Sequence, residues 1–163
     1  MIACIHHNGV FTPLILSPME RKEKGVSGIK TKILIEYITE TLAPEVATLG
    51  LESPILMLDR ATIHSEKRIL AAFEESGVKL GQVIKIPTQS AERLSPLDNA
   101  VFHDFKEQVR KSCPMTLDNI EQSMITAWNA VMKKQIHSHY RNCGLTHRCD
   151  PYEDCPNPSV HQH

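Results

Sequence analysis

Pro54-Ile55-Leu56-Met57-Leu58-Asp59-Arg60 is a continuous apolar run of strand length that stops at an acid–base pair. A run this short, bounded by Pro and by charge, reads as a buried strand. Ile69, Leu70 and Phe73 follow at helical spacing, so a helix is predicted over about 65–75, with Gly77 as its stop. Val83, Ile84 and Ile86 then form a second buried strand, closed by Pro87. Strand, helix, strand is the unit of a parallel α/β sheet. In such sheets sites gather where strands run out, and Asp59 stands at that point.

Upstream, two β-branched runs at 2–7 and 10–16 flank Asn8-Gly9, a strong hairpin signal that places the turn on those two residues. Pro13 marks the second run as an edge strand or a bulged one. Residues 17–28 are polar and charged and read as a surface loop. Ile33, Tyr37, Ile38 and Leu42 predict a helix that Pro44 stops. Downstream, a polar loop over 88–94 leads to Ser95-Pro96-Leu97-Asp98, a helix start with Ser at the N-cap, Pro behind it and a carboxylate three residues on. That helix has Val101, Phe102, Phe105 and Val109 on its apolar face. After Pro114, Leu117, Ile120, Met124, Trp128 and Val131 line one side of a long helix ending near Cys143-Gly144. A hairpin followed by alternating strands and helices predicts a mixed α/β sheet flanked by helices.

The 163 residues suffice for one domain with a real core, being 41% hydrophobic. Lys and Arg total 18 against 19 acidic residues, so bulk charge alone would not hold DNA; basic groups would have to cluster. Lys106, Arg110 and Lys111, with Lys133 and Lys134, are the candidates for a DNA-facing groove, against the more ordinary reading of a solvated helix face. No apolar run approaches the roughly 20 residues of a membrane helix. Five cysteines without a framework suggest a reducing compartment, nucleus or cytoplasm. His6-His7 reads as surface polarity. Residues 145–163 form a flexible Cys/His-containing tail by composition. Cys143, His147, Cys149 and Cys155 are zinc-type ligands, but their six-residue cysteine spacing lacks a Cys-x-x-Cys knuckle, which argues against zinc.

Two carboxylates near one rim, Asp59 and Asp98, suit Mg²⁺, a hard cation that takes oxygen ligands and keeps several waters. Each also has an ordinary role: Asp59 closing a turn, and Asp98 completing a capping box with Ser95. The words around them add a resemblance. Leu56-Met57-Leu58-Asp59-Arg60-Ala61-Thr62-Ile63-His64 resembles the second-strand signature of mariner/pogo-type transposases, in which Asp-Asn-Ala precedes a His at this distance. Ser90 and Leu94-Ser95-Pro96-Leu97-Asp98-Asn99, followed by Phe105-Lys106, resemble the third-carboxylate segment of the pogo, Tigger and jerky branch. Ala127-Trp128-Asn129-Ala130-Val131 through Cys143-Gly144 is similar to that branch's closing helix, and Thr12-Pro13-Leu14-Ile15 to its second hairpin. The residues between Asp59 and Asp98, 60 to 97, number 38, a spacing compatible with such enzymes.

The resemblance covers about residues 2–144. It implies an RNase H-like fold, Mg²⁺ or Mn²⁺, DNA as partner, and Asp59 and Asp98 as the second and third catalytic, metal-binding carboxylates. His64 flanks that site or helps start the next helix. Arg60 departs from the family, standing where Asn is usual, either paired with Asp59 or pointing away. The family's first carboxylate lies on a strand before the hairpin, and no acidic residue precedes Glu20 here. The expectation is therefore a partial domain, 1–144, lacking its first strand and the N-terminal helix-turn-helix region. Such a sheet would be poorly stable alone or completed by another chain. Three functions fit: an inactive transposase fragment, a domesticated DNA- or protein-binding module, or an enzyme whose start lies upstream.

Overall fold

The structure is a computed structural model that describes residues 1–112, 116–131 and 133–145. It opens with a hairpin, β1 (Ile5–His6) and β2 (Gly9–Val10), extended by an antiparallel bridge between Ile2 and Leu14. The turn falls on His7-Asn8 rather than Asn8-Gly9, because His6 pairs with Gly9. The glycine makes room there: a Cβ on Gly9 would lie 3.2 Å from His6 Nε2. His6 is not mere surface polarity either, since its ring rests on Phe11 at 4.8 Å.

From the Ile5–Val10 pair to the Ile2–Leu14 pair, the first strand advances three residues and the second four. The extra residue is a β-bulge, as Pro13 suggested. A bulge leaves backbone groups without ladder partners, and three helices supply them. Trp128 Nε1–H donates to the Phe11 carbonyl at 2.8 Å, the Tyr37 hydroxyl donates to the Thr12 carbonyl at 2.7 Å, and Glu45 Oε2 accepts the Thr12 N–H at 3.0 Å. Long-range side chains thus pin the hairpin to the helices around it.

Residues 17–28, expected as loop, contain helix α1 (Pro18–Glu23). It has a complete capping box: Ser17 N–H donates to Glu20 Oε2 at 2.7 Å, and Glu20 N–H to Ser17 Oγ at 3.2 Å. Helix α2 (Thr31–Tyr37) does not stop at Pro44. It passes through a π-helical turn, Ile38–Leu42, into α3 (Ala43–Thr48). Proline removes one N–H and crowds the preceding turn; the wider turn, in which the Ala43 N–H reaches the Ile38 carbonyl, absorbs the mismatch.

Strand β3 (Ile55–Asp59) pairs in parallel with β4 (Gln82–Ile86), Asp59 standing opposite Ile86. Their connection is α4 (Glu66–Glu75), which buries Ile69, Ala72 and Phe73 but leaves Leu70 partly exposed, contrary to the inward expectation. Gly77 at φ +79° ends α4, and the Val78 N–H closes the cap on the Phe73 carbonyl. The strands approach each other tightly at their start: a Cβ on Gly81 would meet the Ser53 carbonyl at 2.9 Å.

Residues 88–94, also expected as loop, form a 3₁₀ turn, Thr88–Ser90, and α5 (Ala91–Leu94). A π-helical turn at Leu97–Val101 leads into α6 (Phe102–Lys111). The single long helix expected next is two, α7 (Leu117–Asn129) and α8 (Lys133–Asn142), because the chain turns at Ala130-Val131. Ile120 is exposed on α7 rather than inward.

The hairpin lies between two apolar cores. The first joins Leu34, Ile38, Leu42, Ile69 and Phe73 to Ile2, Cys4 and Leu14 of the hairpin and to Leu56 and Leu58 of β3. The second joins Val101, Phe105, Trp128, Val131 and Ile136 to Met1, Ala3, Ile5 and Val10. Alternate residues of the first hairpin strand thus face opposite cores, as a strand buried on both faces requires. Among the described residues the hairpin and the β3–β4 pair are separate two-stranded sheets. The result is a mixed α/β architecture in which β3 pairs, among the described residues, with β4 alone.

Candidate active site

Asp59 is the last residue of β3, and its side chain is 50% exposed. The backbone turns back immediately, with the His64 N–H bonded to the Ala61 carbonyl at 2.9 Å. Within this turn Asp59 Oδ1 accepts the Ala61 N–H at 2.9 Å. His64 Nδ1 lies 2.7 Å from the same oxygen and 3.1 Å from the Asp59 carbonyl oxygen. His64 is therefore a partner of Asp59 rather than a helix cap. The N-cap of α4 is Ser65, which makes no side-chain cap bond. Arg60 is exposed and forms no ion pair among the described residues, so the group paired with Asp59 is the imidazole, not the neighbouring guanidinium.

Asp98 enters from β4 by way of the 87–96 connection and sits in the π-helical turn before α6. Half of the expected capping box forms: the Asp98 N–H donates to Ser95 Oγ at 3.3 Å. The other half does not. The Ser95 N–H is bonded instead to the Ala91 carbonyl at 2.8 Å, because α5 runs directly into this turn. Ser95 is buried, while the Asp98 carboxylate is exposed and has no partner among the described residues. The capping duty that offered an ordinary explanation of Asp98 is not performed.

The two aspartates thus lie on β3 and on the segment that leaves β4, with no hydrogen bond joining them. Among the described residues no group of three or more His, Cys, Asp or Glu side chains converges as a metal cage. The donor chemistry nevertheless fits a hard divalent cation: Asp59 and Asp98 are exposed, and Asp59 Oδ2 and the Asp98 carboxylate have no donor among the described residues. Magnesium-type ions are commonly held by one or two carboxylates, with water and substrate phosphate completing the shell.

Lys106, Arg110 and Lys111 are all exposed on α6, Lys106 and Arg110 flanking the face that packs Phe102, Phe105 and Val109 and Lys111 lying on the far side of the helix. Lys106 and Arg110, four residues apart, share a stripe. Arg110 Nη1 lies 3.7 Å from Glu107 Oε1, an exposed pair that dilutes the positive face. The side chains of Lys133 and Lys134 fall outside the described set. Of the zinc-type residues, Cys143 is a buried free thiol at the end of α8, whereas His147, Cys149 and Cys155 lie outside the described residues. The pairing of His64 with Asp59 was not foreseen, although a His five residues past a strand-end acid, across a tight turn, was its signal.

The family model for DDE superfamily endonucleases matches residues 15–123, a span that holds both Asp59 and Asp98. No curated protein and no solved structure matches the chain. Nucleases of this family use divalent metal ions, in keeping with two uncommitted carboxylates. Matched over more than half its length, and folded as mixed α/β in the RNase H-like manner that the family implies, the chain belongs to the DDE superfamily endonucleases.

Proposed function

We propose that this chain serves DNA phosphodiester cleavage and strand transfer as a transposase domain of mariner/pogo type, with Asp59 and Asp98 as two of its metal-binding carboxylates. The observation that carries this reading is that each acid keeps at least one carboxylate oxygen without a donor among the described residues. Asp59 keeps Oδ2 without a donor, and Asp98 is released from its cap. Mg²⁺ or Mn²⁺ bound there would supply activation of a water and stabilisation of the leaving oxygen. The chain's own contribution is to fix the two carboxylates and to meet DNA phosphates with Lys106, Arg110 and Lys111. Each phosphate contact steepens the salt dependence of binding. The proposed location is the nucleus or cytoplasm, the compartments that the scattered cysteines suggest.

These 163 residues furnish two carboxylates of the family's three. No acid precedes Glu20, and the Glu20 side chain is engaged in the cap of α1. Turnover by this chain alone is therefore not expected. The open edge of β3 is the place where another chain, or residues beyond these 163, would complete the sheet. A second reading, a domesticated module that binds DNA or protein without cutting, draws on the exposed Arg60 cation beside Asp59.

The test is a supercoiled-plasmid nicking and DNA-binding assay with Mg²⁺ or Mn²⁺. Nicking that is lost in Asp59→Ala and in Asp98→Ala would assign an active site and overturn the inactivity expected of the chain alone. Binding that persists without metal and in both variants favours the module. Absence of both activities leaves an inactive transposase fragment.

A further inference from the structure

Asp59 Oδ1 accepts the Ala61 N–H at 2.9 Å and lies 2.7 Å from His64 Nδ1, whose ring hydrogen bond runs to the Asp59 carbonyl oxygen at 3.1 Å. A carbonyl oxygen only accepts, so the hydrogen bond to the Asp59 main chain places a ring proton on Nδ1. With the Ala61 N–H bonded to it and the imidazole nitrogen 2.7 Å away, Oδ1 is crowded on the side where a cation would approach. Oδ2 has no donor among the described residues. The ring itself is held: it is 18% exposed, and Nδ1 also lies 3.1 Å from the Asp59 carbonyl oxygen. Asp59 is thereby fixed at both its side chain and its main chain.

We infer that His64 is a positioning residue that makes Asp59 a one-oxygen ligand, presenting Oδ2 alone to a divalent cation; this rests on the metal reading proposed above. The consequence is selectivity. Mg²⁺ demands near-octahedral geometry at short distances, whereas Ca²⁺ accepts bidentate carboxylates and six to eight oxygens. A carboxylate whose Oδ1 is occupied cannot swing into the bidentate mode that favours Ca²⁺. Removing His64 frees Oδ1, loosens the side chain and relaxes the choice of ion.

The experiment is a Mn²⁺ titration of the full chain, read from the paramagnetic resonance signal of free Mn²⁺, followed by displacement with Mg²⁺ and with Ca²⁺. Wild type is compared with Asp59→Asn, His64→Ala, His64→Asn and His64→Gln, the fold of each being checked by circular dichroism. The amide of His64→Asn places an N–H near the position of Nδ1, whereas that of His64→Gln does not. The expected result is a loss of Mn²⁺ affinity of about 10–100-fold in His64→Ala. His64→Asn retains most of the affinity, and Ca²⁺ becomes a better competitor in the Ala and Gln variants. Wild-type affinity in His64→Ala, or equal losses in the Asn and Gln variants, alongside lost binding in Asp59→Asn, would overturn the role of His64 while sparing the metal site. Unchanged binding in Asp59→Asn would overturn the metal reading and this inference together. Should His64→Ala fail to fold, the order of the Asn and Gln variants decides the question.

Discussion

Replacing Trp128 by Phe tests how the hairpin is held. Trp128 is fully buried, and its ring packs edge-on to Phe105 at 5.8 Å and tilted against Phe102 at 6.4 Å. Phenylalanine keeps most of these apolar contacts but has no N–H for the Phe11 carbonyl. That carbonyl lies at the bulge, so no neighbouring strand takes over. A buried acceptor left unpaired costs about 1–3 kcal/mol, and we expect Trp128→Phe to lose about 2 kcal/mol. Trp128→Ala adds a cavity and should lose about 3–5 kcal/mol. Urea unfolding followed by far-ultraviolet circular dichroism is the assay, because Trp128 is the single tryptophan and its fluorescence vanishes with it. The midpoint should fall with the slope unchanged. A Phe variant within about 0.5 kcal/mol of wild type, the scatter of uninvolved surface changes, would refute the claim that the indole satisfies the bulge.

Three further outcomes follow from the same structure. Gly81→Ala should cost about 1–3 kcal/mol, since its Cβ would press on the Ser53 carbonyl, and amide exchange of β3 and β4 should quicken relative to α7. The Cys4 thiol is pushed up to about 12 from 9.0, chiefly by burial, so the neutral thiol stabilises the fold below pH 9. That contribution is lost as pH climbs from about 9 to about 12; Cys4→Ala should flatten the alkaline fall in melting temperature, and an unchanged fall would count against it. At the acid end, hydrogen bonds from the Ser17 backbone and hydroxyl hold the Glu20 carboxyl below its ordinary value of 4.5. The cap of α1 is therefore present above that value and fails as pH drops through the folded one. Because α1 buries no residue, Ser17→Ala should speed exchange of the Glu20 amide at neutral pH while leaving global stability nearly untouched.

The parallel pair was legible because its signals are local. A short apolar run, a helical stripe and a second run carry β3, α4 and β4, and with them the position of Asp59. Ser95-Pro96-Leu97-Asp98 likewise marked a helix start correctly. What it concealed was competition: the Ser95 N–H finds the Ala91 carbonyl first, and the capping box closes by one arm only. The complete box lay at Ser17 and Glu20, in a stretch whose charge density masked a six-residue helix. Pro44 misled for a related reason, since a π-helical turn accommodates a proline that an α-helix of ideal pitch would reject. The three captures of the bulge at Phe11-Thr12 join residues 25 to 117 positions apart and leave no local trace. The His64–Asp59 contact is intermediate: five residues separate the partners, and the tight turn at Ala61 brings them together.

The proposed metal site requires Asp59 and Asp98 to share one divalent ion. Nitrogen–proton correlation spectra of the full chain, recorded during addition of substoichiometric Mn²⁺, test this most directly. Paramagnetic broadening should strike the amides around Asp59 and Ala61 and those around Asp98 and Asn99 at the same metal concentration, and Asp59→Asn should abolish both effects together. Broadening at only one of the two segments, or an Asp98 effect that survives Asp59→Asn, would show that the two carboxylates do not form one site.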